Sequence, residues 1–544
     1  MATAEASLAG LPDELLEIVL AFLPPRSLVA VQLASKRFVD LAEEPLLWRY
    51  CCQTEFRYWD AKHDIARKLA RPASEVDWKQ LFIRRMQIDR TVAATFESIL
   101  STQQGRVNKI ETILEEGYDA KETLLRCCIV GDDAEDVLAR RYYGNAVLAT
   151  LHQTMAIEIW ENVRNNEAVP LERALGSYDM FVLGTREGDY DDVARSLDAL
   201  AGEVRTECPR FDTLTTRQKA LALVNFVRAR DLTGVKSMDL YSELRNNFIG
   251  IALLDSEHQS LPLISVAIYC CIAQRLGINA GPCGFPFHIY GAVYAPERQT
   301  LDGTPLAAGS DPDTMYVDPF RSDFEVPPDN LRSQLLAMGA SPSTHAAFLR
   351  QATTRELVLR TGRNIMNSVH SVQQGAPVVQ RNGSRIQSWF ATFPDVDRAF
   401  YATLWATMLL SADADGHAIV TLRRRQYLPF LAEQFQTHCP WDASLIEQYI
   451  VPLLRNMPEH DRLLEIVHEI RRGDEMPRPV LRRDPESHKD VKYKIGQMFQ
   501  HKRYGYEGVV IGWDPKCDAT EAWIMQMGVD SLARGRDQSF YHVM

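Results

Sequence analysis

The chain has 544 residues, 46% hydrophobic and 24% charged, with a formal net charge of -12. That is the make-up of a soluble globular protein long enough for about three or four domains. The acidic balance argues against nucleic acid or anionic membrane as a partner of the whole surface, and leaves room for a local basic patch.

Ten cysteines are too few for a disulfide scaffold. Six of them form adjacent pairs, Cys51–Cys52, Cys127–Cys128 and Cys270–Cys271, and no C-x-x-C occurs, so zinc and redox motifs have no support. Free thiols in a reducing compartment are the reading, and with it a cytoplasmic and/or nuclear location. The opening "MATAEASLAGLPDELL" lacks a basic region followed by an apolar core, so no signal peptide is read. No stretch reaches the roughly 18 consecutive apolar residues of a membrane span, so no membrane partner is expected.

In chain order, Leu15, Ile18, Val19, Phe22 and Leu23 recur at helical spacing, and "PPRS" breaks that helix. A second helix is predicted near Ser27–Leu33 and a third after Ser35, through Phe38 and Leu41. Three short helices leave apolar surface that a partner or a following domain must cover. The motifs "LPDELL", "FLPPRSL", "LASKRF" and "LLW" in this order resemble an F-box. The resemblance implies docking on the Skp adaptor, and through it the cullin scaffold, of an SCF ubiquitin ligase. It implies that Leu11, Pro12, Leu15, Ile18, Leu23, Leu28 and Leu33 face the adaptor or support the face that does. A few buried aliphatic anchors then dominate affinity.

From residue 60 to 190 the pattern is helical and carries no evident chemistry. Trp78, Leu81, Phe82, Met86 and Ile88 share a helical stripe, Gly117 reads as a helix stop, and "ARRYYGNAVLATLHQTMAIEIWENV" as a long helix. "TTRQKALALVNFVRARD" is strongly amphipathic, and "SLPLISVAIYCCIAQRLGI" reads as a buried helix. Beyond it the period switches to two around Ile289–Tyr294, and "TMYVDPF" is a further short strand. Helix followed by antiparallel strands is an α+β core.

That order resembles the transglutaminase-like fold, in the branch found in bacterial SirB-type proteins and in F-box proteins. By the resemblance His288 stands at the triad histidine and Asp318 at the triad aspartate, each on a strand. The family places its nucleophilic cysteine at the start of the core helix, where free N–H groups and the positive dipole end activate a thiol. Here Ser260 reads as N-cap and Pro262 as the first helical residue. Leu261–Leu263 occupy the nucleophile position, and Cys270 and Cys271 follow eight and nine residues after Pro262. At about 1.5 Å per residue that is roughly 12–13 Å down the helix. A degenerate, non-catalytic frame is the expectation, with His288 and Asp318 as structural or cleft residues and no cofactor. The alternative is a transglutaminase- or protease-like hydrolase with Ser260, Ser265 or Cys283 as an unrecognised nucleophile.

Asp413, Asp415 and Gly416 imitate the opening of a calcium loop, but Leu422 stands where a bidentate Glu is required, so a polar turn is read and no metal site. "RAFYATLWATMLL" and "DRLLEIVHEIRR" are helices, and Arg471–Asp490 is a charged, proline-bearing linker. Strands are predicted at Lys494–His501, Gly508–Trp513 and Ser539–Val543, as a small antiparallel sheet or barrel. "IGQMFQHKRYGYEGVVIGWDP" and "FYHVM" resemble the HspQ/YccV-like, hemimethylated-DNA-binding-like module. Relative to that family the chain stops early at Met544, so the module is read as C-terminally incomplete with an unpaired edge strand. Between Arg471 and Arg503 ten Lys and Arg face five Asp and Glu. That allows phosphate contact, but no base-reading cluster is evident, and a protein-binding barrel is favoured over DNA.

The expected architecture is multidomain and mainly α: F-box at 8–55, helical region at 60–190, α+β transglutaminase-like core at 191–375, helical region at 390–475, linker at 476–491, and antiparallel β module at 492–544. All three resemblances in this order point to F-box proteins that combine these domains. The function they imply is that of a substrate-recognition subunit of an SCF-type ubiquitin ligase, with a protein substrate held by the downstream domains. A DNA-associated adaptor is the other alternative.

Overall fold

The computed structural model describes the chain except residues 1–10, 307–312, 376–378, 382–383, 387–392, 412–416, 456, 478–487, 503–504, 520 and 544. The calcium-like turn, most of the expected linker and the last residue therefore lie outside the described residues. Two compact units are present, residues 1–370 with 396–476, and residues 371–395 with 477–544. Helices of more than five residues and all strands are numbered in chain order below.

The larger unit opens with α1 (Asp13–Ala21), α2 (Pro25–Val31), α3 (Lys36–Ala42) and α4 (Pro45–Glu55). Local chemistry sets their boundaries. Pro25 and Pro45 each stand at the first helical position, where a missing N–H costs nothing. The Ser35 hydroxyl accepts from Phe38 N at 3.3 Å and caps α3. Leu16, Leu20, Leu28, Leu41, Leu47, Trp48 and both cysteines of the first pair form one core with Phe56, Trp78, Leu81 and Phe82. The last three residues lie on or at the start of α5 (Trp78–Ser101), so the three-helix start is completed by α4 and α5.

Behind it come α6 (Arg106–Leu114), α7 (Lys121–Cys128), α8 (Val137–Arg164) and α9 (Leu171–Val182), then α10 (Tyr190–Glu207), α11 (Thr216–Ala229) and α12 (Ile249–Leu254). Along α9 every residue but Arg173 is buried, because α8 and α16 (Val396–Leu410) pack against it. Pro-initiated α13 (Pro262–Arg275) is buried over its first twelve residues. Beside it lies an antiparallel sheet in the order β1 (Ala280–Pro282), β2 (Gly291–Tyr294), β3 (Thr314–Val317), β4 (Glu325–Val326). In its register Val293 faces Ala280, and Ala292 faces Tyr316. One face packs on α13; on the other, Leu331 and Leu335 of α14 (Pro328–Ala337) cover Phe285, Tyr290, Ala292 and Tyr316. Burial therefore runs unbroken from Ile289 to Val293 rather than alternating as the period-two reading expects. A strand covered on both faces has no polar side to show. The unit ends with α15 (Thr354–Gly375, which runs past the unit boundary), α16, α17 (His417–His438) and α18 (Glu459–Glu475). The Asp474 carboxylate on α18 accepts from the N–H groups of Arg106 and Val107, closing the first turn of α6 at 3.0 and 2.9 Å.

Asp179 on α9 is wholly buried, and its Oδ1 accepts from Ile251 N at 3.1 Å at the start of α12. Gly250 makes this approach possible, since a Cβ there would lie 2.7 Å from Asp179 Oδ1. Burial, opposed by these backbone donors, raises the carboxyl from 3.8 to about 7. Between those values the folded chain holds a proton that the unfolded chain has lost. The stabilising contribution is thus fully present below about pH 4 and is lost as pH rises through about 7. The melting temperature of the larger unit is expected to fall from about pH 5 to about pH 7.5 on account of this group, and Asp179→Asn should flatten the profile. An unchanged slope in the variant would remove Asp179 as the cause.

The smaller unit contains the hairpin β5 (Val379–Arg381) and β6 (Ser384–Ile386), and an antiparallel sheet β7 (Met498–Gln500), β8 (Glu507–Asp514), β9 (Phe540–Val543) in that order. A bulge falls between Val510 and Gly512. All three expected strands are found; the first and third are shorter than expected, and the middle one is longer by one residue at each end. The helix α19 (Glu521–Met527) was not anticipated. In "EAWIMQM", Glu, Ala, Met and Gln are strong helix formers over seven residues.

Candidate functional site

The two sequence-expected dyad residues meet. His288 Nε2 lies 2.8 Å from Asp318 Oδ2. Neither residue is inside a strand, contrary to the expectation: His288 is in the loop leading into β2 and Asp318 directly follows β3. Because β2 and β3 pair with Gly291 opposite Val317, those two loop positions emerge at the same end of the sheet. Asp318 is buried, and its Oδ1 also accepts from the N–H groups of Phe320 and Arg321 at 3.2 and 3.3 Å. The imidazole rests against Tyr290 (4.8 Å between ring centres) and Phe320 (6.3 Å). Asp318 thus fixes the ring through Nε2, and Nδ1 has no hydrogen-bond partner among the described residues. Beside it Phe287 has φ +64° and is 89% exposed, a left-handed aromatic that the sequence reading did not single out.

The start of α13 differs from its sequence reading. Leu261, not Ser260, occupies the N-cap position, and no side chain caps the helix. Ser260 is drawn elsewhere: its N–H donates to Gly234 O at 2.9 Å, and its hydroxyl pairs with that of Ser265 at 2.7 Å. Ser265 Oγ also accepts from Gly234 N at 3.1 Å. Both hydroxyls are wholly buried in this local network. Cys270 and Cys271 are wholly buried, and burial pushes both thiols well up from their ordinary value. Cys271 donates to Glu172 Oε2 at 3.4 Å. Cys283 is on the far side of β1 in the cluster with Phe285 and Tyr290; it donates to Phe348 O at 3.4 Å, and burial raises it to about 11. Among the described residues no thiol or hydroxyl hydrogen-bonds His288.

These contacts make Asp318 the more costly of the pair to lose. Asp318→Ala strands two backbone N–H groups as well as the imidazole, whereas His288→Ala leaves Asp318 with its backbone donors. Asp318→Ala is expected to destabilise by about 2 kcal/mol more than His288→Ala in chemical denaturation. Equal losses would mean that the backbone donors do not depend on the carboxylate.

At the N-terminal module the expected adaptor residues divide into two groups. Leu15, Ile18 and Leu33 are 48, 58 and 89% exposed, Pro12 is exposed, Leu11 and Leu23 are half-buried, and Leu28 is wholly buried. Val19 on α1 and Phe22 at its C-cap, both outside the expected set, add exposed apolar surface. The exposed and buried groups separate because Leu16 and Leu20, one residue round the helix from Leu15 and Val19, turn inward.

Family models match three segments: F-box-like over residues 8–54, transglutaminase-like superfamily over 191–363, and hemimethylated DNA-binding protein YccV-like over 491–544. The chain thus matches F-box-like, transglutaminase-like and YccV-like models in that order. It is 23% identical to the F-box only protein 21 of Homo sapiens, across 99% of this chain and 84% of that one. The F-box only protein 21 of Mus musculus is likewise 23% identical, across 100% and 85%, and that of Pongo abelii 22%, across 99% and 83%. No solved structure matches the chain. Among the described residues no helix is long and apolar enough to cross a membrane.

Proposed function

We propose that this chain is the substrate-recognition subunit of an SCF-type ubiquitin ligase. Its F-box docks the Skp adaptor, and its downstream domains bind the protein to be ubiquitinated. The observation that carries this reading is the apolar surface of Leu15, Ile18, Phe22 and Leu33, exposed on a module whose own core is already closed by α4 and α5. An exposed aliphatic and aromatic set on short helices is the surface that helix-face recognition buries. Leu11, Pro12, Leu23 and Leu28 border or support it.

The transglutaminase-like core serves as a binding frame. Its nucleophile position holds Leu261–Leu263, its buried serines are engaged with one another and Gly234, and its cysteine thiols are held protonated by burial. His288 and Asp318 order the loops at one end of the sheet. Ubiquitin transfer is left to other subunits of the ligase.

The test is to mix the purified full chain with purified Skp adaptor and follow both by size-exclusion chromatography. Co-elution as a stoichiometric complex is expected. Separate elution at micromolar concentrations would sink the proposal.

A further inference from the structure

The smaller unit contains a cleft of about 460 Å³ between one end of the β8–β9 pair and α19, lined by Asp514, Cys517, Asp518, Trp523, Phe540 and His542 among others. Its volume is that of a small-ligand or side-chain pocket. Two features give its chemistry. Trp523, 41% exposed, and Phe540 supply aromatic surface, and Asp514 and Asp518 supply negative charge. Asp514 is held by His542, Nε2 to Oδ2 at 2.7 Å, whereas Asp518 makes no ion pair or hydrogen bond among the described residues.

Among the described residues, the cations near the cleft are paired. Lys516 pairs with Asp537 at 2.7 Å, Arg534 with Asp490 at 2.6 Å, and Arg536 with both Glu521 (2.6 Å) and Asp530 (2.8 Å). The cleft therefore presents carboxylate and π surface to an incoming group. A phosphate would meet Asp514 and Asp518 and be repelled. A guanidinium or ammonium group would gain a charge partner in Asp518 and a ring face in Trp523.

We propose that this cleft takes an arginine or lysine side chain from a basic peptide segment. This rests on the reading of the chain as a substrate receptor, and it names the chemistry of one recognition element: a cationic side chain, not a nucleic-acid backbone. Cation–π pairing with a carboxylate partner is short-range and geometry-dependent, so it selects a single protruding side chain rather than a diffuse basic surface.

The experiment uses the full chain and a fluorescein-labelled arginine–serine peptide, with lysine–serine and citrulline–serine counterparts, read by anisotropy. Citrulline keeps the shape of arginine and removes its charge. The arginine or lysine peptide is expected to bind at least about tenfold more tightly than the citrulline peptide. Asp518→Asn should weaken binding about three- to tenfold, and Trp523→Phe should stay within about threefold of the parent while Trp523→Ala falls further. Asp518 has no described partner to lose, so its variant decides the matter if Trp523→Ala does not fold. Equal binding of the citrulline peptide, indifference to Asp518→Asn, or displacement of the peptide by a short duplex DNA would each overturn the proposal. Adaptor co-elution is measured on the same variants. In the unsubstituted chain, absence of peptide binding with co-elution retained defeats the cleft alone, and peptide binding without co-elution defeats the ligase reading alone.

Discussion

Lys121→Met is expected to destabilise the larger unit by about 3 kcal/mol, the largest loss among the single substitutions considered. Lys121 is 2% exposed, and its Nζ donates to Asp189 Oδ2 at 2.7 Å and to the Tyr118 hydroxyl at 2.8 Å. Its ammonium also lies 4.4 Å from the Tyr58 ring centre. Asp189 is buried as well and caps α10, accepting from Asp191 N and Asp192 N. Burial alone would raise its carboxyl, but Lys121, Tyr118 and these backbone donors hold it at about 2. Methionine matches the length of the lysine stem and supplies no charge, so the carboxylate is left buried without its cation. Asp189→Asn in the Lys121→Met background should recover part of the loss, because the unpaired charge is then gone. The check is the midpoint of chemical unfolding of the single and double variants. A single-variant loss below about 1 kcal/mol would show that the charge was not desolvated.

That cluster has a functional consequence. Tyr58 directly follows the F-box, and the next residues are tied into the helical region by the same kind of contact. Asp60 N donates to Asp119 Oδ1 at 2.9 Å, Tyr118 N donates to Asp60 Oδ2 at 2.9 Å, and His63 Nε2 lies 2.6 Å from Asp119 Oδ2. Arg85 stacks over Phe56 at 4.6 Å and over Trp59 at 5.5 Å. The F-box is thus mounted on the helical body by buried charge and aromatic contact as well as by the shared core of α4 and α5. Lys121→Met should also raise the susceptibility of residues around 56–64 to limited proteolysis.

The second large effect is on adaptor binding. Leu15→Asp together with Ile18→Asp is expected to reduce adaptor co-elution to background, a loss above about a hundredfold in affinity. Both side chains are exposed on α1 while Leu16 and Leu20 on the same helix carry the core. The substitutions therefore place charge on the contact surface without emptying the interior, and helical circular dichroism should be unchanged. Retained co-elution of a folded double variant would sink the F-box assignment of this face. Point variants are the right instrument here, because deleting the F-box would uncover Trp78, Leu81 and Phe82 and damage α5.

Several structural features were legible locally. The punctuation by "PPRS" and Ser35 ends one helix and opens the next whatever surrounds it, since those signals act within one turn. The helical stripe of Trp78, Leu81, Phe82 and Ile88 appears as α5 with those residues buried. The fold class, mainly helical with small antiparallel sheets, followed from such periodicities, and the three domain resemblances rested on motifs of local chain. Failures occurred where a distant partner outbid a local preference. Ser260 has the side chain of a good N-cap but spends it on Ser265 and Gly234. β2 reads as alternating but is buried on both faces by α13 and α14.

By itself the sequence determined most of the elements and their order, because caps, breakers and apolar periods are properties of neighbouring residues, and the transglutaminase-like resemblance supplied the pairing candidates His288 and Asp318. Tertiary structure alone decided which leucines of α1 face outward and that Lys121 meets Asp189 across 68 positions. It also gathered Asp514, Asp518, Trp523 and His542 around one cleft. Those outcomes depend on which surfaces the packing leaves dry, and burial, not sequence spacing, sets the strength of a charge and the fate of an apolar face.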